Sequence, residues 1–203
     1  MYQFTVPMAL MDFVPVLCFG YAAALLQRDL YSKMRKSQFA LFAAGTINIF
    51  TAGFLKALWK LLYAANICDF HPLNTMFLPV QSIGFLLAGL GIVWMMTSRK
   101  KVCLATAPPV FSGSIIFIVM MVLGLGSICT VLSIFAVKMK KKGAAVLFLA
   151  AFLCSMGMGA MSGQDASLAW VNWVEQSINC ASQGLLMWGV IILDRAGLKE
   201  LSM

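Results

Sequence analysis

Four amide side chains recur at helical spacing near the end of the chain. At steps of four, three and four residues they are Asn172, Gln176, Asn179 and Gln183. These steps place all four on one face of an α-helix. Amides donate and accept hydrogen bonds, and burying them unpaired among apolar groups is costly. The face therefore predicts a polar cavity for water or a small solute, or else amides that bond neighbouring helices together.

Further polar residues extend this candidate substrate-binding site. Glu175 flanks the amide face, and Gln81 and Ser82 lie within an earlier apolar segment. A carboxylate within an apolar segment is a candidate ion or proton site. Glu175 is the first such candidate. Asp12 is the second, with a charge at the level of lipid headgroups as its alternative.

A short pattern around Gln81 recurs around Gln176. The sequence Gln-Ser-Ile is followed at the same spacing by Gly-Leu in both places, and a basic loop precedes each (33–36 and 138–142). An internal repeat in an apolar chain is typical of proteins that build a pocket or path between two halves. Chance similarity between apolar segments is the alternative. We predict two three-helix repeats, approximately 5–98 and 111–195, in which Gln81 and Gln176 face each other.

The composition predicts an integral membrane protein of the all-α class. The chain has 203 residues, of which 62% are hydrophobic and 11% charged, with a mean hydropathy of +0.91. Soluble domains carry about 25% charged residues. The net charge of +8 comes from clusters at the ends of apolar segments, where lysine and arginine face lipid headgroups. We therefore expect a single transmembrane domain, 1–203, in contact with the lipid bilayer and not with nucleic acid.

Six segments have the length of about 20 apolar residues that a crossing requires. They are 5–26, 38–64, 75–97, 111–137, 143–162 and 168–193. Pro15 and Pro79 fall inside segments and should kink them. Lys56 and Lys60 are one turn apart near the end of the second segment, and we expect both to extend toward the membrane surface.

The basic loops leave two topologies open. Six crossings would put the loops after the third and fourth segments on opposite sides, which predicts halves that are inverted relative to each other. The alternative is a seventh helix inside 102–137, which would place every basic cluster on one side. We favour six crossings with inverted halves.

No residue pattern predicts catalysis, a metal site or a cofactor. His71 is the only histidine, and the six cysteines are scattered singly. We expect a small transporter or channel for a small polar solute or ion, similar to small transporters with duplicated three-helix halves in architecture alone. The alternative is a binding or signalling subunit that transports nothing. Its polar face would contact lipid, a partner membrane protein or a second copy. The expected location is a cell membrane, with a bacterial inner membrane as the default.

Overall fold

The computed structural model describes residues 4–97, 114–161 and 168–201, and all of the regular structure in these residues is helical. The α-helices are α1 (Val6–Met11), α2 (Phe13–Leu30), α3 (Lys36–Ala64), α4 (Pro72–Thr75), α5 (Phe77–Thr97), α6 (Ser114–Lys138), α7 (Lys142–Met161) and α8 (Ala169–Arg195), and a 3-10 turn follows at Leu198–Glu200. The short helices α1 and α4 directly precede α2 and α5, so the described residues form six long helical segments. The prediction of an all-α chain is confirmed.

Four of these helical segments are long and apolar enough to cross a membrane. They are Val6–Leu30, Lys36–Ala64, Pro72–Thr97 and Ile115–Lys138. A shorter apolar helix covers Lys142–Met158. The amide-rich α8 has the length for a crossing, with 27 residues, but is not among these candidates.

The helix is interrupted ahead of both Pro15 and Pro79. α1 ends at Met11, four residues before Pro15, and α4 ends at Thr75, four residues before Pro79. A proline lacks the N–H that would bond to the carbonyl four residues earlier, and its ring crowds that carbonyl. The first break leaves Asp12 between α1 and α2.

Small residues let α3 and α5 pack closely and antiparallel. The backbone at Gly45 lies so near Ala88 that an added Cβ would collide with it, and Gly91 lies in the same way against Phe42. Near the start of α3, the Gln38 side-chain amide donates to the Trp94 carbonyl at 3.4 Å. Close backbone approach through glycine and alanine is the usual packing mode of helices in lipid.

Hydrogen bonds and ion pairs fix the direction of α8. Near its start, Asn172 accepts a hydrogen bond from Lys60 of α3 at 3.5 Å. Near its end, Asp194 pairs with Arg28 of α2. We call these two ends of the bundle the Lys60 end and the Arg28 end. α8 therefore runs from the Lys60 end to the Arg28 end.

The helices before α8 place both basic loops at one end. α7 is antiparallel to α8, because the Ser155 and Ser182 hydroxyls are 2.6 Å apart while Gly189 lies against Phe148. α7 thus begins at the Arg28 end, and α6 ends there, since only three residues separate the two helices. The basic loops 33–36 and 138–142 both lie at the Arg28 end.

The prediction of inverted halves is therefore wrong. α5 and α6 both run from the Lys60 end to the Arg28 end, so the halves point the same way. The error came from the count of six crossings, which forced the loops after the third and fourth segments onto opposite sides although basic loops favour one side. Parallel halves are what the seven-helix alternative requires. The proposed extra helix inside 102–137 falls partly on 98–113, outside the described residues, and the remainder is the single helix α6.

Large apolar side chains lie both inside the bundle and on its outer surface. The buried core includes Phe42, Ile92, Phe135, Phe148 and Leu193. The exposed apolar residues include Leu17, Ile47, Ile115, Val146 and Trp188. Several polar side chains are buried instead, among them Asp12, Lys60 and Gln176. Contiguous apolar surface of this kind marks contact with lipid or other proteins.

Candidate functional site

A polar cavity of about 80 Å³ lies within the bundle, between the α1–α2 break, α3, α5 and α8. One water molecule needs about 10–15 Å³ of such space, so several would fit. The polar side chains on its wall are Asp12, Lys56, Lys60, Gln81, Glu175, Gln176, Asn179 and Gln183. Pro15 and four phenylalanines from α2, α3 and α5 contribute to the apolar part of the wall.

The helical spacing of α8 brings most of its predicted site residues to this cavity. Gln176, Asn179 and Gln183 line it, and Glu175 lies beside them on the same wall. Asn172 does not line the cavity. It is 2% exposed, donates to the Leu168 carbonyl at 3.1 Å and accepts from Lys60. One end of the polar face thus bonds to the protein, and the rest faces the cavity.

α5 contributes one of its two predicted residues. Gln81 is on the cavity wall, so it shares the cavity with Gln176. Ser82 is fully buried elsewhere, and its hydroxyl donates to the Leu78 carbonyl of the same helix at 2.6 Å. A serine that bonds within its own helix is satisfied without a ligand.

An ion pair links α3 to the break between α1 and α2. Lys60 Nζ lies 2.9 Å from Asp12 Oδ2, and the two side chains are only 6% and 5% exposed. The carboxylate lies at the interruption between α1 and α2, ahead of Pro15, and faces Lys60 of α3. Lys60 Nζ also lies 5.1 Å from the centre of the Phe4 ring. Asp12 is therefore inside the bundle and not at a surface position.

The prediction that Lys56 and Lys60 extend toward the membrane surface is wrong. Lys60 is buried in the ion pair with Asp12, and Lys56 Nζ lies 4.0 Å from the centre of the Phe77 ring on the cavity wall. A lysine extends outward when no acceptor lies inside. Here the α1–α2 break supplies a carboxylate, α5 an aromatic face and α8 an amide.

Several acceptors around the cavity have no hydrogen-bond partner in the described part of the chain. Among these buried oxygens are Asp12 Oδ1 and the Oε1 atoms of Gln81, Gln176 and Gln183. A buried oxygen left without a hydrogen bond costs about 1–3 kcal/mol. Water or a polar solute in the cavity would remove this cost.

The protein is closed on the Arg28 side of the cavity. The rings of Phe19 and Phe85 lie on the cavity wall with their centres 6.3 Å apart, and both residues are buried. Nearer the Arg28 end, Gln27 of α2 donates to Thr46 of α3 at 2.7 Å. These contacts fill the interior of the bundle between the Phe19–Phe85 pair and the end of α2.

An ion-pair cluster completes the closure at the Arg28 end. The Arg28 guanidinium contacts Asp29 at 2.9 Å and also pairs with Asp194 of α8. Asp29 is buried, with 1% of its side chain exposed, while Arg28 and Asp194 are partly exposed. Lys33 donates to the Leu201 carbonyl. The chain end that follows α8 is thereby attached to the loop that follows α2.

Sequence reasoning missed two lysines of the site, although a signal was present. Lys56 and Lys60 are charges within an apolar segment, and Asp12 is a charge of opposite sign within another. Opposite charges inside apolar helices tend to pair with one another. Within the described ranges, His, Cys, Asp and Glu form no cluster that could hold a metal ion.

The chain was also compared with known proteins. No family model matches it, and neither a curated protein nor a solved structure matches it significantly.

Proposed function

We propose that this chain spans a membrane and binds a small polar solute or ion in the cavity, as a transporter. The observation that carries the proposal is the set of partnerless amide and carboxylate oxygens on the wall of one cavity. An apolar core would be more stable than half-satisfied amides, because unpaired polar groups cost free energy where water is absent. Binding is a role that accounts for their presence.

The charge distribution supports an orientation. Among the described residues, every lysine and arginine other than Lys56 and Lys60 lies at the Arg28 end, in or beside the two basic loops and the end of α8. Cytoplasmic loops carry the excess of lysine and arginine in membrane proteins. The Arg28 end therefore faces the cytoplasm, and the cavity belongs to the opposite half of the bundle.

The closed Arg28 end favours a transporter over a channel. A channel needs a continuous path, whereas a transporter exposes its site to one side at a time. Here the Phe19–Phe85 layer and the Arg28 cluster separate the cavity from the Arg28 end. Access from the cytoplasm would require α8, which carries Asp194 and the amide face, to move relative to α2.

Cysteine accessibility tests whether the cavity is wet. Asn179→Cys places a thiol on the cavity wall, and Ser177→Cys places one on the exposed outer face of α8 two residues away. Both are made in a chain whose native cysteines are replaced and whose folding is verified. The thiolate is the reactive form and needs water. A water-soluble thiol reagent should modify position 179 at least about tenfold faster than position 177.

Transport itself is tested in liposomes that contain the purified full chain. Gln176→Leu should abolish uptake of a solute that the native protein carries. Ser177→Leu is the matched control, because Ser177 is exposed and donates only to Trp173 of its own helix. Equal uptake by both variants would remove the cavity from the path. An unreactive cysteine at position 179 would show a dry cavity and refute the proposal. Co-purification with a membrane protein that Gln176→Leu disrupts would favour the subunit alternative.

A further inference from the structure

The charges around the cavity divide into one satisfied pair and two groups without an ionic partner. Asp12 and Lys60 neutralise each other at 2.9 Å. Lys56 and Glu175 also line the cavity, yet neither has an oppositely charged group within 4.0 Å in the described part of the chain. The wall therefore presents one available cation, from α3, and one available anion, from α8.

Lys56 is held in position by an aromatic ring. Its ammonium lies 4.0 Å from the centre of the Phe77 ring, and the negative face of an aromatic ring attracts a cation. The ring does not neutralise the charge, so a carboxylate from a ligand could still bind. A bound carboxylate would gain a charge-assisted hydrogen bond, which is roughly twice as strong as a neutral one.

Glu175 and the amides suit the other end of the same ligand. An ionised carboxylate accepts hydrogen bonds and cannot donate them, so Glu175 binds a donor such as a primary ammonium group. Gln81, Gln176 and Gln183 have unused hydrogen-bonding capacity around the cavity. They can bond to whatever polar atoms lie between the two charged ends of a solute.

Resting on the proposed function, we propose that the solute is a small zwitterion of the amino-acid type. Its carboxylate binds Lys56, and its ammonium binds Glu175. The four charged side chains of the cavity wall have a net charge of zero: they are Asp12, Lys60, Lys56 and Glu175. A zwitterion, which has no net charge and oppositely charged ends, therefore leaves no net charge buried. A single ion would leave Lys56 or Glu175 unpaired, and truncating one partner of a buried charge pair typically weakens binding strongly.

The test measures thermal stabilisation of the detergent-solubilised full chain, since a ligand that binds the folded state raises Tm. The zwitterions are glycine, alanine, serine and β-alanine. The controls are acetate and methylammonium, which carry one charge each, and acetamide, which carries none. A zwitterionic lipid headgroup shares the proposed chemistry, and phosphoethanolamine serves as its probe. We expect one or more of the zwitterionic amino acids to raise Tm more than every control at equal concentration.

Two neutralising variants then locate the ends of the solute. Lys56→Gln and Glu175→Gln should each weaken the apparent affinity roughly ten- to a hundredfold, the effect of one lost hydrogen bond to a charged group. Ser177→Leu, on the outer face of α8, should retain native affinity. If either variant fails to fold, the panel of single-charge and neutral solutes on the native protein still decides the question.

The outcomes separate this inference from the proposed function. A response to acetamide equal to that of the amino acids, or full retention of affinity in both charge variants, would overturn the zwitterion. A response to phosphoethanolamine alone would assign the cavity to a lipid headgroup and would also overturn it. A reactive cysteine at position 179 with no response to any amino acid would refute the zwitterion and leave a wet polar cavity. An unreactive cysteine would refute both proposals.

Discussion

Removing one partner of the Asp12–Lys60 ion pair should destabilise the protein far more than removing both. At 2.9 Å the two charges attract by about 6 kcal/mol at an effective dielectric constant of ~20. Desolvating two ions offsets most of this attraction, so the net contribution of the pair is small. Lys60→Met leaves Asp12 as a buried carboxylate with neither oxygen paired to a charge, which typically costs about 3–5 kcal/mol. The polar cavity beside the pair favours the lower limit.

Replacing both residues removes this cost. Lys60→Met preserves most of the unbranched stem, and Asp12→Asn preserves the shape of the carboxylate. We expect each single variant to lose about 3 kcal/mol in the free energy of unfolding. The double variant should lie within about 2 kcal/mol of the native chain, because neither change then leaves a buried charge. The coupling energy between the two sites should therefore be at least about 4 kcal/mol.

Equilibrium unfolding of the solubilised protein by increasing SDS, followed through its helical circular dichroism, measures all three variants. Lys36→Met is the control, since Lys36 is exposed at the opposite end of the same helix. It should change stability by no more than about 0.5 kcal/mol. Single losses below about 1 kcal/mol that add in the double variant would describe an exposed, weakly coupled pair. That result would refute the buried geometry on which the site rests.

Three other predictions follow from the packing. Gly45→Ala should destabilise the protein by about 1–3 kcal/mol, because the new methyl group would meet the α5 backbone. Gly184→Ala should be neutral or slightly stabilising, since nothing lies within 4 Å of a Cβ at that position. The same unfolding assay compares the two variants. Single cysteines at positions Ser32 and Lys141 should react with a membrane-impermeant reagent from one and the same side of vesicles, and reaction from opposite sides would contradict the parallel halves. Arg28→Gln should lower the free energy of unfolding by removing the ion-pair partner of the buried Asp29 carboxylate, and unchanged stability in the same assay would show that this carboxylate is solvated.

The polar face of α8 could be predicted because it depends on local geometry alone. The helical repeat orients Gln176, Asn179 and Gln183 whatever the rest of the chain does, and unpaired amides require a polar environment. The interruptions ahead of Pro15 and Pro79 could be predicted for the same reason: a missing N–H acts on the residues immediately before it. These features need no knowledge of neighbouring helices.

The direction of the lysine side chains could not be predicted in this way. Lys56 and Lys60 have stems long enough to reach either the surface or the interior. The choice depends on partners that lie far away in sequence: Asp12 of the α1–α2 break, Phe77 of α5 and Asn172 of α8. The relative direction of the two halves could not be predicted either, because it also depends on contacts between helices that are distant in sequence.

The way the helices pack bears on the predicted repeat, which stays a prediction. Within the halves, α2 packs on α3 and α3 on α5, as α6 packs on α7 and α7 on α8. Between the halves, the last helix of each packs on the first helix of the other: α5 on α6, and α8 on α2. A duplication with a two-fold axis along the helices would produce this exchange. It would also explain why Gln81 and Gln176 share one cavity.

The cavity itself departs from such symmetry, and the departure concerns charge. Ser82 and Ser177 make the same bond to the carbonyl four residues earlier, yet one is buried and the other exposed. The lysines of the site come from α3 alone, and the Glu175 carboxylate comes from α8. If a duplication supplied the amides, the charged groups were placed differently in each half. A solute with two unlike ends would then bind in one direction only, which a symmetric pair of glutamines could not achieve.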